Sequence, residues 1–171
     1  MALEDDIAIL SRAPLFNLLE RDALRLVAFA SENRMLRAGD VLFKKGDPSD
    51  GGYVVSSGAL ALDAREDGSA ADFIAGSGSL IGQAALFTRI ERRATATARE
   101  LSTVIRVTPS LMRRVLQEFP NAAAALQDAM AEELNRLMDG LEQVRQQLIA
   151  IDGEETPAAL PGRPRGRDED A

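Results

Sequence analysis

The sequence contains no cysteine and no histidine. Without thiols it forms no disulfide, no thiolate nucleophile and no thiolate metal site. Without imidazole it lacks the usual zinc ligand sets, the Ser-His and Cys-His nucleophile pairs, and the commonest general base near neutral pH. Carboxylate, lysine and hydroxyl chemistry are all that remain for an enzyme, and no acid pair, metal cluster or activated nucleophile stands out. A basic balance is also missing. At a net charge of −7 the chain has no overall positive surface with which to release counterions from nucleic acid or bind an anionic membrane. No apolar run approaches the ~18 residues of a membrane span, and the opening MALEDDIAIL carries an acidic flank instead of the basic one of a leader. These absences predict a cytoplasmic protein that is not an enzyme, holds no metal, and binds neither DNA nor membrane directly.

What is present suffices for one domain with a hydrophobic core and an appendage: 171 residues, 46% of them hydrophobic. The stretch PLFNLLERDALRLVAFA places Leu15, Leu18, Leu19, Leu24, Leu26, Val27 and Ala30 at three- and four-residue spacings, which predicts one or two short amphipathic helices. From Met35 the period changes. Short apolar runs alternate with Gly39, Gly46, Gly51, Gly52, Gly58 and Gly68, the pattern of a β-sandwich or β-roll. Asp67-Gly68 predicts a tight hairpin between LALDARE and SAADFIA, because that pair tolerates positive φ. Strands resume in RATATARELSTVIRV, and SLMRRVLQEF after Pro109 reads as a short helix that Pro120 ends.

Beyond Pro120, apolar residues fall at Met130, Leu134, Leu137, Leu141, Val144, Leu148 and Ile151, alternating steps of four and three. This is a heptad seam, and it predicts a long helix that self-associates through residues 126–151. The last stretch, DGEETPAALPGRPRGRDEDA, has no apolar face and reads as a disordered tail. The expected organisation is a β-rich domain over 1–120, a helix over 121–151 and a tail over 152–171.

The stretch LIGQAALFTRIERRATA, residues 80–96, joins a glycine turn to two arginines. Backbone N–H groups at the start of a short helix after Gly82 are unpaired donors, Ala84 and Ala85 are small enough to let a ligand approach, and Arg92 can add a charge-assisted bond. The chemistry is that of a phosphate cradle.

LRAGDVLFKKGDPSDGGYVVSSGALAL, followed by GSLIGQAAL and RRATA, resembles the cyclic nucleotide-binding domain family over roughly residues 7–138. The overall plan is most similar to the regulatory domain of the bacterial catabolite activators. The resemblance implies an α+β fold: a β-roll, or jelly roll, flanked by short N-terminal helices and a long C-terminal helix. It implies that the amides of Gln83, Ala84 and Ala85 face a cyclic phosphate, that Arg92 neutralises it, with Arg93 the reserve anchor if the loop is one residue longer, and that Ala94 follows them in the site. It also implies that the start of the long helix covers the base, which makes Met130, Glu133, Leu134, Leu137 and Met138 candidate lid residues. The implied ligand is cyclic AMP or cyclic GMP, and the implied output is a signal to a protein effector.

This chain departs from the family's pattern at Gln83, where the family has a glutamate that accepts from the ribose 2′-hydroxyl, and at Glu91, where it often has proline. A neutral acceptor contributes about 0.5–1.5 kcal/mol against roughly 1.5–3 for a charged one. The loss is on the order of five- to tenfold in affinity. Two readings follow: a dimeric cyclic nucleotide sensor, or a degenerate fold that binds no nucleotide and serves as a dimeric scaffold.

Overall fold

In a computed structural model, the backbone is described for residues 2–65 and 67–154. The chain divides into two compact units, Met1–Ala129 and Met130–Ala171.

The first unit opens with helices α1 (Ala2–Leu10) and α2 (Arg21–Ala30), separated by a single 3₁₀ turn at Phe16–Leu18. α2 and the turn lie where leucine spacing predicts helix; α1 lies N-terminal to that stretch. Eight strands follow: β1 (Glu32–Leu36), β2 (Val41–Phe43), β3 (Gly52–Ser57), β4 (Ala59–Asp63), β5 (Phe73–Gly76), β6 (Leu80–Ile81), β7 (Thr95–Ala98) and β8 (Ser102–Val107). They form two antiparallel four-stranded sheets, ordered β1-β8-β3-β6 and β2-β7-β4-β5. The fold is α+β, a jelly roll with helices before and after its strands in the chain.

The period-two alternation of β3 and β8 explains why their sequences, GYVVSS and STVIRV, are apolar at consecutive positions. Tyr53, Val55 and Val104 point into the cluster between the sheets, while Val54, Ile105 and Val107 point into a second cluster with the helices. Both strands are covered on both faces, so both sets of side chains are hydrophobic.

The Asp67-Gly68 turn is a correction. β4 and β5 do pair, with Leu62 opposite Phe73, and Gly68 does take φ +79°. The strands stop at Asp63 and start at Phe73, however, so a longer loop joins them in place of a two-residue turn. Polar side chains satisfy this loop: Ala64 N donates to Asp72 Oδ2, Ser69 N donates to Asp67 Oδ1, and Arg65 pairs with Asp72 at 2.8 Å. Side-chain acceptors that replace ladder bonds let the chain leave the sheet early.

Helix α3 (Pro109–Glu118) starts with Pro109 in its first turn and Thr108 as N-cap, whose Oγ1 accepts from Leu111 N at 3.2 Å. Proline disfavours helical backbone in the residue before it, so α3 stops short of Phe119 and α4 (Pro120–Glu154) begins anew. α4 is a few residues longer than the expected 121–151. Ala122 and Leu126 of its first turns belong to the helix-side core. From Met130 the helix forms the second unit, and its heptad residues are exposed along their length, Leu137 at 59% and Leu141 at 69%. Of the expected tail, residues 155–171 lie outside the described residues.

Candidate functional site

The site is organised around Arg92, a guanidinium almost wholly inside the protein. Its side chain is 3% exposed. The backbone on either side is stitched to the segment before β3: Arg92 N donates to Asp47 O at 2.8 Å, Gly46 N donates to Arg92 O at 2.8 Å, and Ser49 N donates to Ile90 O at 2.7 Å. Ser49 Oγ in turn accepts from Ile90 N at 2.8 Å. These bonds fix the direction in which Arg92 leaves the chain.

Inside, the guanidinium carbon sits 4.1 Å from the centroid of Phe43 and 5.5 Å from that of Tyr53. Nη2 donates to Gly51 O at 2.6 Å and to Asp50 Oδ1 at 3.3 Å. Such a stack with a carboxylate is a favourable setting for a partly desolvated cation. Burial still pulls Arg92 below the ordinary guanidinium range, opposed by Tyr53 and Asp50. Nε is buried without a hydrogen-bond partner, and Nη1 lies so close to Gly82 that a Cβ added there would meet it at 2.7 Å. Nη2 is committed inward, and Nη1 forms no hydrogen bond among the described residues.

Asp50 serves more than one arginine. Its carboxylate lies 3.3–3.4 Å from Arg34, Arg92 and Arg106, and accepts the Tyr53 hydroxyl at 2.8 Å. Partial burial pushes this carboxyl up, but the Tyr53 hydrogen bond and the Arg34 and Arg106 guanidiniums outweigh it and hold Asp50 below the usual carboxylate range. Burial, and donation to a carboxylate that would repel a phenolate, push Tyr53 up to about 12.

Facing Arg92 is the turn after β6. Gly82 takes φ +77°, a conformation open to glycine, and also has no room for a side chain beside Arg92. The residues after it form a single 3₁₀ turn, Ala84–Leu86, shorter than the helix the sequence suggests. Ala85 N, expected to be a free donor, bonds instead to Gly82 O at 3.0 Å. The amides of Gln83 and Ala84 have no acceptor among the described residues. Two donors therefore remain on this side of the pocket, supplied by local peptide groups and not by a helix dipole.

An open concavity of about 800 Å³ joins these parts, with Lys45, Arg92 and Arg93 as its cations and Glu91 as its carboxylate. A smaller apolar recess of about 210 Å³ adjoins it, sharing Gly82, Ile90, Arg92 and Arg93, and reaching Phe43, Leu62 and Ala94. Arg93 is exposed at the rim, so the two adjacent arginines differ in kind: Arg92 is built into the fold and Arg93 lies at its surface. Gln83 is exposed and makes no capping hydrogen bond. Ala85 is buried beneath the turn. Met130, Glu133, Leu134, Leu137 and Met138 lie in the second unit, exposed on α4, with Glu133 paired to Arg136 at 3.4 Å.

Sequence reasoning missed Asp50, Gly51, Phe43 and Tyr53, which hold Arg92 from about forty residues away in the chain. The available signal was Tyr53, the chain's one tyrosine, set directly after Asp50-Gly51-Gly52.

A model of the cyclic nucleotide-binding domain matches residues 33–119, just over half the chain. The chain belongs to the cyclic nucleotide-binding domain family. Among solved structures, a cyclic nucleotide-binding-like protein from Brucella abortus is 35% identical, with 66% of this chain and 98% of that one covered and a TM-score of 0.60. The N-terminal domain of a transcriptional regulator from Streptomyces coelicolor is 31% identical, with 78% and 94% covered and a TM-score of 0.72. Lysophospholipase NTE1 of Chaetomium globosum is 31% identical over 127 residues, 73% of this chain and 8% of the lysophospholipase. The chain thus matches a small part of that relative's length. Among the described residues no helix is long and apolar enough to cross a membrane.

Proposed function

We propose that the chain is a regulatory module that binds a cyclic purine nucleotide, cyclic AMP or cyclic GMP, and passes the change through α4 to a protein effector. The observation that carries this reading is the pairing across one pocket of two free peptide N–H groups, at Gln83 and Ala84, with a buried guanidinium whose Nη1 is unbonded and pressed against Gly82. Free amides and an oriented arginine are the donor set for a phosphodiester. Gln83 is the acceptor for the ribose hydroxyl, and the recess reaching Phe43, Leu62 and Ala94 receives apolar parts of the ligand. Arg92 is the anchor and Arg93 a second, outer cation.

Met130, Glu133, Leu134, Leu137 and Met138 cover the base. Leu134, Leu137 and their heptad partners also form the seam of a homodimer over residues 126–151. That double use makes dimer geometry and ligand occupancy two expressions of one equilibrium. The proposal assigns the chain binding and no catalysis, a cytoplasmic place, and no direct contact with DNA or membrane.

Two observations favour a second reading, a dimeric scaffold that binds no nucleotide. Arg92 Nη2 already has Gly51 O and Asp50 as partners, and Gln83 carries no charge. Titration calorimetry with cyclic AMP and cyclic GMP separates the two. Saturable heat that disappears in Arg92→Ala supports the sensor, and no heat with either nucleotide on the folded parent supports the scaffold.

A further inference from the structure

A second concavity, of about 700 Å³, shares no lining residue with the pocket around Arg92 and contains Arg89 and Arg113. Arg89 comes from the segment before Arg92, and Arg113 from the first turns of α3. Among the described residues neither makes an ion pair or a hydrogen bond, whereas Arg34, Arg92 and Arg106 nearby are each held by a carboxylate. In a chain with 27 acidic residues against 20 basic ones, two arginines left without an acid in one concavity are a local reversal of charge. The carboxylate in this concavity is Asp50, and its oxygens are engaged by three guanidiniums and a phenol.

Other donors converge on the same space. The hydroxyls of Thr88 and Ser110 line it and form no hydrogen bond among the described residues. The Ser110 amide likewise has no acceptor among the described residues, since Thr108 takes the amides of Leu111 and Met112 through its Oγ1 and its carbonyl. Phe87 and Pro109 supply apolar wall. Two forked cations, two hydroxyls and an amide, contributed by two separate elements, form a donor set for three oxygens that point in different directions. A carboxylate offers two oxygens in one plane and a single charge. A cyclic phosphodiester also offers two free oxygens and one charge. A phosphate monoester offers three oxygens and a charge of about −1.5 to −2 at neutral pH.

We propose that this concavity is a second anion site, which takes a phosphate monoester carried on a small apolar or aromatic body. The site does not rest on the nucleotide reading: the two concavities share no lining residue, and Asp50, which lines this one, is the side chain that links them by pairing with Arg92. The ester belongs either to a free small molecule or to a phosphorylated side chain of a protein partner; the chemistry of recognition is the same.

The test is a titration of the full chain with phenyl phosphate, followed through its amide NMR signals, with parallel arms of benzoate, cyclic AMP and a short phosphotyrosine peptide. Phenyl phosphate is expected to shift the amides of Thr88, Arg89, Ser110 and Arg113 saturably, and to weaken as salt rises. Arg89→Ala and Arg113→Ala are each expected to weaken it about tenfold, as the loss of one charge-assisted contact. Arg113→Lys restores part of the loss, and Arg12→Ala leaves binding unchanged. Both site arginines are exposed, and unchanged spectra of the core residues establish that the variants fold. Tighter binding of the peptide than of phenyl phosphate, with the same arginine dependence, identifies a protein partner, and equal binding identifies a small ester. The proposal is overturned if benzoate or cyclic AMP shifts the same amides as strongly, if phenyl phosphate moves only the amides of residues 82–84, or if the Arg89→Ala/Arg113→Ala double variant binds phenyl phosphate as well as the parent.

Discussion

Replacing Asp50 with asparagine keeps the shape of the hub and removes its charge. The carboxylate lies 3.3–3.4 Å from three guanidiniums. Arg34 and Arg106 also pair with Glu32, whereas Asp50 supplies the ion pair of Arg92. Taking away one partner of a fully buried pair costs about 3–5 kcal/mol, but the Asp50 side chain is 44% exposed. Water at its outer edge screens the interaction, which brings the expected destabilisation down to about 1–3 kcal/mol. For a chain of this size that is roughly 3–10 °C in melting temperature. Ligand affinity is expected to move the opposite way. With Asp50 neutral, Arg92 has no competing counter-ion, and an incoming phosphate becomes its first anionic partner. A gain of about 1 kcal/mol corresponds to roughly fivefold tighter binding of the cyclic nucleotide.

The pH dependence follows from the same carboxylate. Its pKa in the folded protein lies below the unfolded value, so its contribution is fully present above about pH 4 and is lost as pH falls through the folded value. The gap in stability between the parent and Asp50→Asn should therefore close on acidification. Thermal unfolding across pH 2–7 and calorimetric titration at pH 7 measure the two arms, with the pH range set by ordinary carboxylate titration at about 3.9. A variant as stable as the parent, or one whose melting temperature and affinity fall together, would refute the view of Asp50 as the counter-charge that competes with ligand.

Four further outcomes are expected. Tyr53 is the chain's one tyrosine, and its pKa of about 12 in the folded state means that protonation stabilises the fold. Stability is thus intact below about pH 10 and declines as pH rises from there toward the folded value, while near-ultraviolet absorbance shows one late ionisation that shifts to about 10 in denaturant. Gly82→Ala forces a side chain into positive φ and against Arg92, so nucleotide heat should vanish in calorimetry, at a stability cost of about 1–2 kcal/mol. Gln83→Glu should tighten cyclic AMP five- to tenfold, roughly the difference between a neutral and a charged acceptor, with little change for its 2′-deoxy analogue. Leu141→Asp places a charge in the middle of the heptad seam, and sedimentation equilibrium should show a monomer where the parent is a dimer.

Part of this molecule could be read from its sequence because the physics that specifies that part is local. Positive φ at Gly39, Gly46, Gly58 and Gly82 requires glycine at the turns, so a roll of short strands leaves a visible trace of punctuation. The heptad seam in α4 is a period carried by one segment. The β4–β5 connection was misread because Asp67-Gly68 is compatible with a tight turn but does not compel one; side-chain acceptors at Asp67 and Asp72 made a longer loop equally satisfiable. The Ala85 amide was misassigned for a related reason: whether an early turn closes on Gly82 O depends on a backbone geometry that residue types leave open.

That Arg92 belongs beside the glycine turn was legible, but the means by which it is held was not. No local pattern joins Asp50 to Arg92, or Phe43 and Tyr53 to either; antiparallel pairing and the ladder between residues 46–49 and 90–92 bring them together. That non-local support changes how the pocket should be understood. An arginine on a flexible loop would meet an anion at the cost of ordering its side chain. Here that ordering is part of folding, and the guanidinium has one nitrogen bonded inward and another, beside Gly82, with no hydrogen bond among the described residues. On the proposed reading, binding exchanges part of the attraction of Asp50 for that of a ligand, without a search for geometry. The price of this preorganisation is competition from Asp50. If the pocket binds as proposed, its affinity is set as much by a carboxylate about forty residues away from Arg92 as by the glycine turn that marks the site in the sequence.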